Sequence, residues 1–132
     1  MYTQQVIHIL KPFKKVCDFL KNVENLPIWT KFFISFQGYE DGFGKMSTLI
    51  GSSLTSIEET LTEKVSTLTI CSRFGNKIEK AMMIVTEDAP YSHLSFTLNF
   101  PPMMNEENKS KMIENLKHEL MSLKQYLESL NV

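Results

Sequence analysis

The residues of this chain with the means to do chemistry are three histidines, two cysteines and a few carboxylates set among apolar residues. His8, His93 and His118 stand far apart along the chain, whereas a zinc centre needs three or four donors that converge. His118-Glu119-Leu120-Met121-Ser122 opens like the two-histidine helix of a metalloprotease, but Ser122 occupies the place of the second histidine. There is no Cys-x-x-Cys pair. The spacing therefore predicts no metal and no other cofactor. A Gly-x-Ser-x-Gly nucleophile elbow is also missing. Cys17 falls on the apolar face of a predicted helix, the setting of an inert buried thiol. Cys71 falls on the polar face of a predicted strand near Arg73, whose charge would favour the thiolate; an ordinary exposed cysteine fits the same pattern. Gly38, Gly42 and Gly44 do not match a phosphate loop and suit hairpins instead.

Glu59 is the one catalytic candidate. Thr55, Ile57, Glu59 and Leu61 share parity on a predicted strand, and the two aliphatics suggest that this parity faces inward. Glu59 would then be desolvated and available as an acid or base. A register break near Gly51–Ser53, or an exposed strand end, would instead leave it in water. Lys80 poses the same question, because Ile78, Met82 and Ile84 share its parity.

The elements that must position these residues can be read from periodicity. Thr3–Leu10 is β-branched and aliphatic and predicts a strand. Lys11-Pro12 opens a helix, in which Phe13, Val16, Cys17 and Leu20 form one apolar face. A second helical piece covers Val23–Thr30, with Pro27 early in it. Period-two alternation then predicts strands over Phe33–Tyr39 and Phe43–Ile50, joined by Asp41-Gly42, a strong hairpin signal. Gly51-Ser52-Ser53 predicts a turn or bulge. Further strands follow over Leu54–Leu61, Val65–Phe74, Lys77–Glu87 and Ser92–Phe100, the last ended by Pro101-Pro102. Asn105 can cap a final helix with Glu106 and Glu107 in its first turn. Ile113, Leu116, Leu120, Leu123, Leu127 and Leu130 give that helix a continuous apolar stripe.

The 132 residues make about one domain, taken as 1–132. Apolar residues at 42% and charged residues at 22% are ordinary for a globular chain. A net charge of −1 without a basic stripe argues against nucleic-acid binding. No window is apolar and long enough for stable membrane insertion. The N-terminal stretch carries its charges after its apolar run, the reverse of a secretory signal, so a cytoplasmic protein with reduced thiols is expected.

The predicted sheet has one apolar face. Leu94, Phe96, Leu98 and Phe100 oppose His93, Ser95, Thr97 and Asn99, and Leu68, Ile70 and Phe74 oppose Thr67, Thr69, Cys71 and Arg73. Packing the long helix on that face gives a two-layer α+β domain with a seven-stranded antiparallel sheet in the order β-α-α-β6-α. A curved sheet of this kind either fills its concavity with side chains or leaves an apolar ligand cavity. The residues expected to line such a cavity are Trp29, Phe36, Met46, Ile57, Ile70, Met82, Phe96, Leu98, Met112 and Leu116. Met103, in the stiff Pro101–Met104 approach to the last helix, joins them as a gate residue. The chain's eight methionines suit an adaptable lining.

The order of elements and several strings resemble the SRPBCC superfamily (START-like, polyketide cyclase/dehydrase type), which has the helix-grip fold. The strings are Ile9-Leu10-Lys11-Pro12 leading to Val16-Cys17-Asp18-Phe19-Leu20, and Val23-Glu24-Asn25-Leu26-Pro27-Ile28-Trp29 at the helix–helix junction. The tail Leu94–Leu98, Pro102-Met103 and Leu116–Leu127 is similar to the last strand, gate loop and closing helix of uncharacterised bacterial members. The resemblance implies a curved sheet gripping the C-terminal helix and a cavity for a lipid, polyketide, quinone or similar molecule. The apolar concave face and the lack of a convergent polar set lead to the expectation of a non-catalytic binding protein, monomeric or homodimeric. The alternatives are a polyketide cyclase- or dehydratase-like enzyme using Glu59, and a protein-interaction module with a vestigial cavity.

Overall fold

The computed structural model describes residues 2–100 and 102–130. The chain runs β1 (Tyr2–Ile9), α1 (Phe13–Leu20), a 3-10 turn (Val23–Asn25) and α2 (Leu26–Trp29). Six strands follow: β2 (Phe33–Glu40), β3 (Phe43–Thr48), β4 (Gly51–Leu61), β5 (Val65–Phe74), β6 (Lys77–Asp88) and β7 (Tyr91–Asn99). The long helix α3 (Glu106–Ser129) closes the fold. All neighbouring strands pair antiparallel in the order β1-β7-β6-β5-β4-β3-β2. Strands β2 to β7 are a simple meander, and β1 returns to pair with β7 along Tyr2–Ile9. This is the helix-grip arrangement, α+β in two layers. Pro101, expected to help end the last strand, lies outside the described residues.

Local chemistry explains most boundaries. Asp41 and Gly42 both take positive φ, 51° and 83°, as a two-residue hairpin of the right hand requires. The side chain of Asn105 accepts a hydrogen bond from the Asn108 N–H at 2.8 Å and so caps α3. The turn expected at Gly51–Ser53 falls instead at Leu49-Ile50, and Gly51 begins β4. The reason is Thr48. Its hydroxyl donates to the Gly51 carbonyl at 2.6 Å and accepts from the Ile50 N–H at 3.2 Å, which turns two aliphatic residues out into solvent. Gly44 is a packing glycine more than a hairpin one: a Cβ there would stand 3.0 Å from Val23 of the 3-10 turn.

The sheet curls strongly at its β2 side. Register shifts interrupt the β2–β3 ladder between Phe33 and Ser35 and between Phe36 and Tyr39, and such irregularities bend and twist a strand. Phe32, just before β2, meets Phe74 at the end of β5 edge to face, with ring centroids 6.1 Å apart. In a flat sheet three strand spacings would hold those positions about 14 Å apart.

The core lies between the sheet and the helices. Leu68, Met83, Val85, Leu94 and Phe96 are buried on the inner face. Val16, Cys17 and Leu20 of α1 cover one part of it, and Leu116, Leu120, Leu123 and Leu127 of α3 cover another. One expectation is corrected here. The inward parity of β6 is Ala81, Met83 and Val85, while Met82 is 39% exposed and Lys80 is exposed. Both faces of β6 are rich in apolar residues, so alternation alone cannot orient it. Its neighbours do: Met83 lies opposite Leu68 on β5 and Phe96 on β7.

Candidate functional site

The inner face changes character along α3. Leu120, Leu123 and Leu127 in the later turns are buried, and three polar ties hold that end to β1 and the segment after it. The Lys124 ammonium donates to the His8 carbonyl at 2.8 Å, the Leu10 N–H donates to Glu128 at 2.8 Å, and the Lys11 ammonium donates to the Leu130 carbonyl. In mid-helix the Glu119 carboxylate accepts from the Lys31 N–H at 2.7 Å and from the Phe32 backbone. Burial holds the Glu119 carboxyl above its ordinary range, and the two N–H groups offset that only in part. Earlier in the helix Met112 and Ile113 are only half-buried. The inner side of the sheet also carries apolar side chains that are only partly buried: Phe32, Phe74, Ala81 and Leu98.

Most of the expected lining residues take the inner face. Trp29, Met46, Ile70, Phe96 and Leu116 are buried, and Phe36, Ile57 and Leu98 are partly buried and packed against the core. Met112 is half-buried on the early turns of α3. Two expected residues lie elsewhere. Met82 points from the outer face, for the register reason given above. Met103 is 100% exposed at φ 70° in the β7–α3 connection, a left-handed backbone that turns its side chain out to solvent.

Thr55, expected on the inward parity with Ile57, is there, and it belongs to a chain of hydroxyls whose other members, Ser53 and Ser72, were not anticipated. Ser53 Oγ lies 2.8 Å from Thr55 Oγ1, which lies 2.9 Å from Ser72 Oγ, and all three residues are buried. Their hydroxyls satisfy one another, as buried polar groups must. The signal was present as parity: Ser53 and Thr55 fall in step with Ile57, and Ser72 with Ile70. Thr3 and Gln5 of β1, opposite Leu98 and Phe96, place further polar side chains on this face. They are half-buried.

Glu59 does face inward, but beneath α1 and not beneath the early turns of α3. The Ser66 hydroxyl donates to Glu59 Oε2 at 2.7 Å. The Cys17 thiol lies in the same neighbourhood and is pushed up to about 11, chiefly by burial. A thiol so held is no nucleophile at neutral pH, and a carboxylate bound by a serine hydroxyl between two strands reads as a structural bridge. A groove of about 560 Å³ opens among Gln37, Glu40, Lys45, Leu54 and Arg73, with Met46 and Ser53 also in its lining. The Arg73 guanidinium lies over the Phe43 ring there, 5.3 Å from its centroid.

His8 and His93, far apart along the chain, are direct cross-strand partners with ring centroids 3.9 Å apart. The β1–β7 pairing that joins the two ends of the chain brings them together, and no local spacing shows it.

The fold is that of START-like helix-grip proteins, and solved structures agree. A START superfamily protein from Mycobacterium smegmatis superposes with a TM-score of 0.70 at 15% identity, over 98% of this chain and 99% of that one. A STAR-related lipid transfer protein from Xanthomonas axonopodis gives 0.71 at 9% identity, over 97% and 86%. The Aha1 dimer from Colwellia psychrerythraea gives 0.65 at 15% identity, over 100% and 99%. No protein-family model matches the chain, and no curated protein matches it in sequence. Among the described residues no helix is long and apolar enough to cross a membrane.

Proposed function

We propose that this protein binds an apolar small molecule, of the lipid, polyketide or quinone kind, on the concave face beneath the early turns of α3. The observation that carries the reading is the burial gradient along that helix. Leu120, Leu123 and Leu127 are sealed, whereas Met112 and Ile113 are only half-buried, as are the apolar side chains Phe32, Phe74, Ala81 and Leu98 of the sheet side. A space with that lining favours an apolar guest, and Gln5 and Thr3 offer it a polar handle. Trp29, Phe36, Met46, Ile57, Ile70, Phe96, Leu98, Met112 and Leu116 are the side chains proposed to line or support it. The lipid-transfer protein among the structural neighbours is consistent with such a guest.

The binding is non-catalytic in this reading. Glu59, the acid or base candidate, is engaged by Ser66 under α1, away from the early turns of α3. A single domain working in the cytoplasm as a monomer or homodimer completes the proposal, and two free thiols suit a reducing compartment. The test is a titration with an environment-sensitive fatty-acid dye, followed through Trp29 emission, with native mass spectrometry of the purified protein. Saturable binding of one dye per chain is expected. Absence of saturable binding would leave the concave face a packed core and nothing more.

A further inference from the structure

The convex face carries a cluster that takes no part in the apolar site. His8 on β1 and His93 on β7 are paired across the sheet. They lie on the outward parity of their strands, next to inward Ile7, Ile9 and Leu94. Asp88 ends β6, and its Oδ2 accepts from His93 Nε2 at 2.7 Å. One donor atom from each of the three side chains lies within 4.8 Å of the other two. We propose that His8, Asp88 and His93 form a binding site for a divalent transition-metal ion of the zinc class.

The donor set decides the class of ion. Two imidazole nitrogens and one carboxylate oxygen suit zinc, nickel or copper, whereas calcium and magnesium call for oxygen donors throughout. Three protein donors leave a coordination position for water, as in open zinc sites. Geometry is close to what is needed. Donors around a tetrahedral ion at ordinary bond lengths stand about 3.4 Å apart. The carboxylate and the His93 ring need to open slightly from 2.7 Å, and the His8 donor atom already lies within 4.8 Å of both, a range that side-chain rotation covers. The backbones need not move, because β1, β7 and β6 are already fixed to one another by their ladders. The cluster is also accessible: His8 and Asp88 are exposed and His93 is half-buried.

The experiment is calorimetric titration of the full, untagged chain with Zn²⁺, paired with the visible spectrum of added Co²⁺. One Zn²⁺ per chain is expected, with a Co²⁺ spectrum of nitrogen and oxygen ligation. H8A, H93A and D88N should each weaken Zn²⁺ binding by about tenfold or more. H118A should leave it unchanged, since His118 lies on α3 outside the cluster. Should H8A disturb folding by circular dichroism, His8→Gln keeps the side-chain length and serves in its place. No saturable Zn²⁺ binding, or binding that H8A and H93A leave intact, would overturn the proposal. The readout is independent of the apolar probe, so this site and the concave one fail separately.

Discussion

The Lys31 N–H donates to Glu119 Oε2 at 2.7 Å, so a side chain in the middle of α3 holds the backbone that leads from α2 into β2. This tie joins the helix to the curled edge of the sheet beside the proposed mouth. Burial raises the Glu119 pKa above the ordinary 4.5, so the folded state binds that proton more tightly than the unfolded chain does. Its contribution to stability is complete below the ordinary carboxylate range and falls as pH rises through the raised value. Glu119→Gln keeps an acceptor oxygen and removes the titration. Urea melts from acid to neutral pH should show a steeper loss of stability in wild type than in E119Q. Parallel curves would mean the ionisation is not linked to folding. Glu119→Ala strands the two N–H groups and should cost about 1–3 kcal/mol.

The two halves of α3 should respond differently to truncation. Leu120 is fully buried, and Leu120→Ala should cost about 2–5 kcal/mol, as large-to-small core changes do. Met112 lies where the packing is already half-open, so Met112→Ala should cost under about 1.5 kcal/mol and change affinity for apolar probes. Thermal melts and dye titrations on the two variants report both effects. Equal destabilisation with unchanged probe binding would place the site elsewhere.

Phe32 and Phe74 meet edge to face at the curled side of the sheet, and the proposed site would have this pair at one side of its mouth. Such pairs contribute about 0.5–1.5 kcal/mol beyond their burial. Phe32→Ala should therefore destabilise modestly and speed both association and dissociation of a dye in stopped-flow mixing. Unchanged kinetics would show that the ring pair does not control entry.

Glu59→Gln should behave nearly as wild type in stability and in probe affinity, because glutamine can still accept the Ser66 hydroxyl bond. Ser66 is fully buried, and Ser66→Ala should cost about 1 kcal/mol. A large fall in probe affinity with E59Q would return this carboxylate to the binding site and reopen the enzymatic reading.

The thiols should separate cleanly. Cys71 lies half-exposed on the outer face, whereas Cys17 is buried and held at about 11. Alkylation at mildly alkaline pH should modify Cys71 in the native protein and Cys17 only with urea present. Peptide mass mapping distinguishes them, and early labelling of Cys17 would show that α1 opens readily.

What the amino-acid sequence determined was everything governed by local period and local caps. The apolar stripe of α3 with its Asn105 cap, the Asp41-Gly42 hairpin, and the alternation in β5 and β7 each follow from residues within one or two turns of one another. Together they specify seven strands, a long closing helix and one buried face. Tertiary structure decided whatever depended on which strand lies beside which. It oriented β6, whose two faces are both apolar, by setting Met83 against Leu68 and Phe96 and so sending Met82 outward. It put Glu59 under α1, where Ser66 from the next strand binds it. It also brought His8 to His93, and Phe32 to Phe74 across two intervening strands. Side-chain alternation says that a strand has two faces. Only the long-range ladders and the curl of the sheet decide which face is covered, and by what.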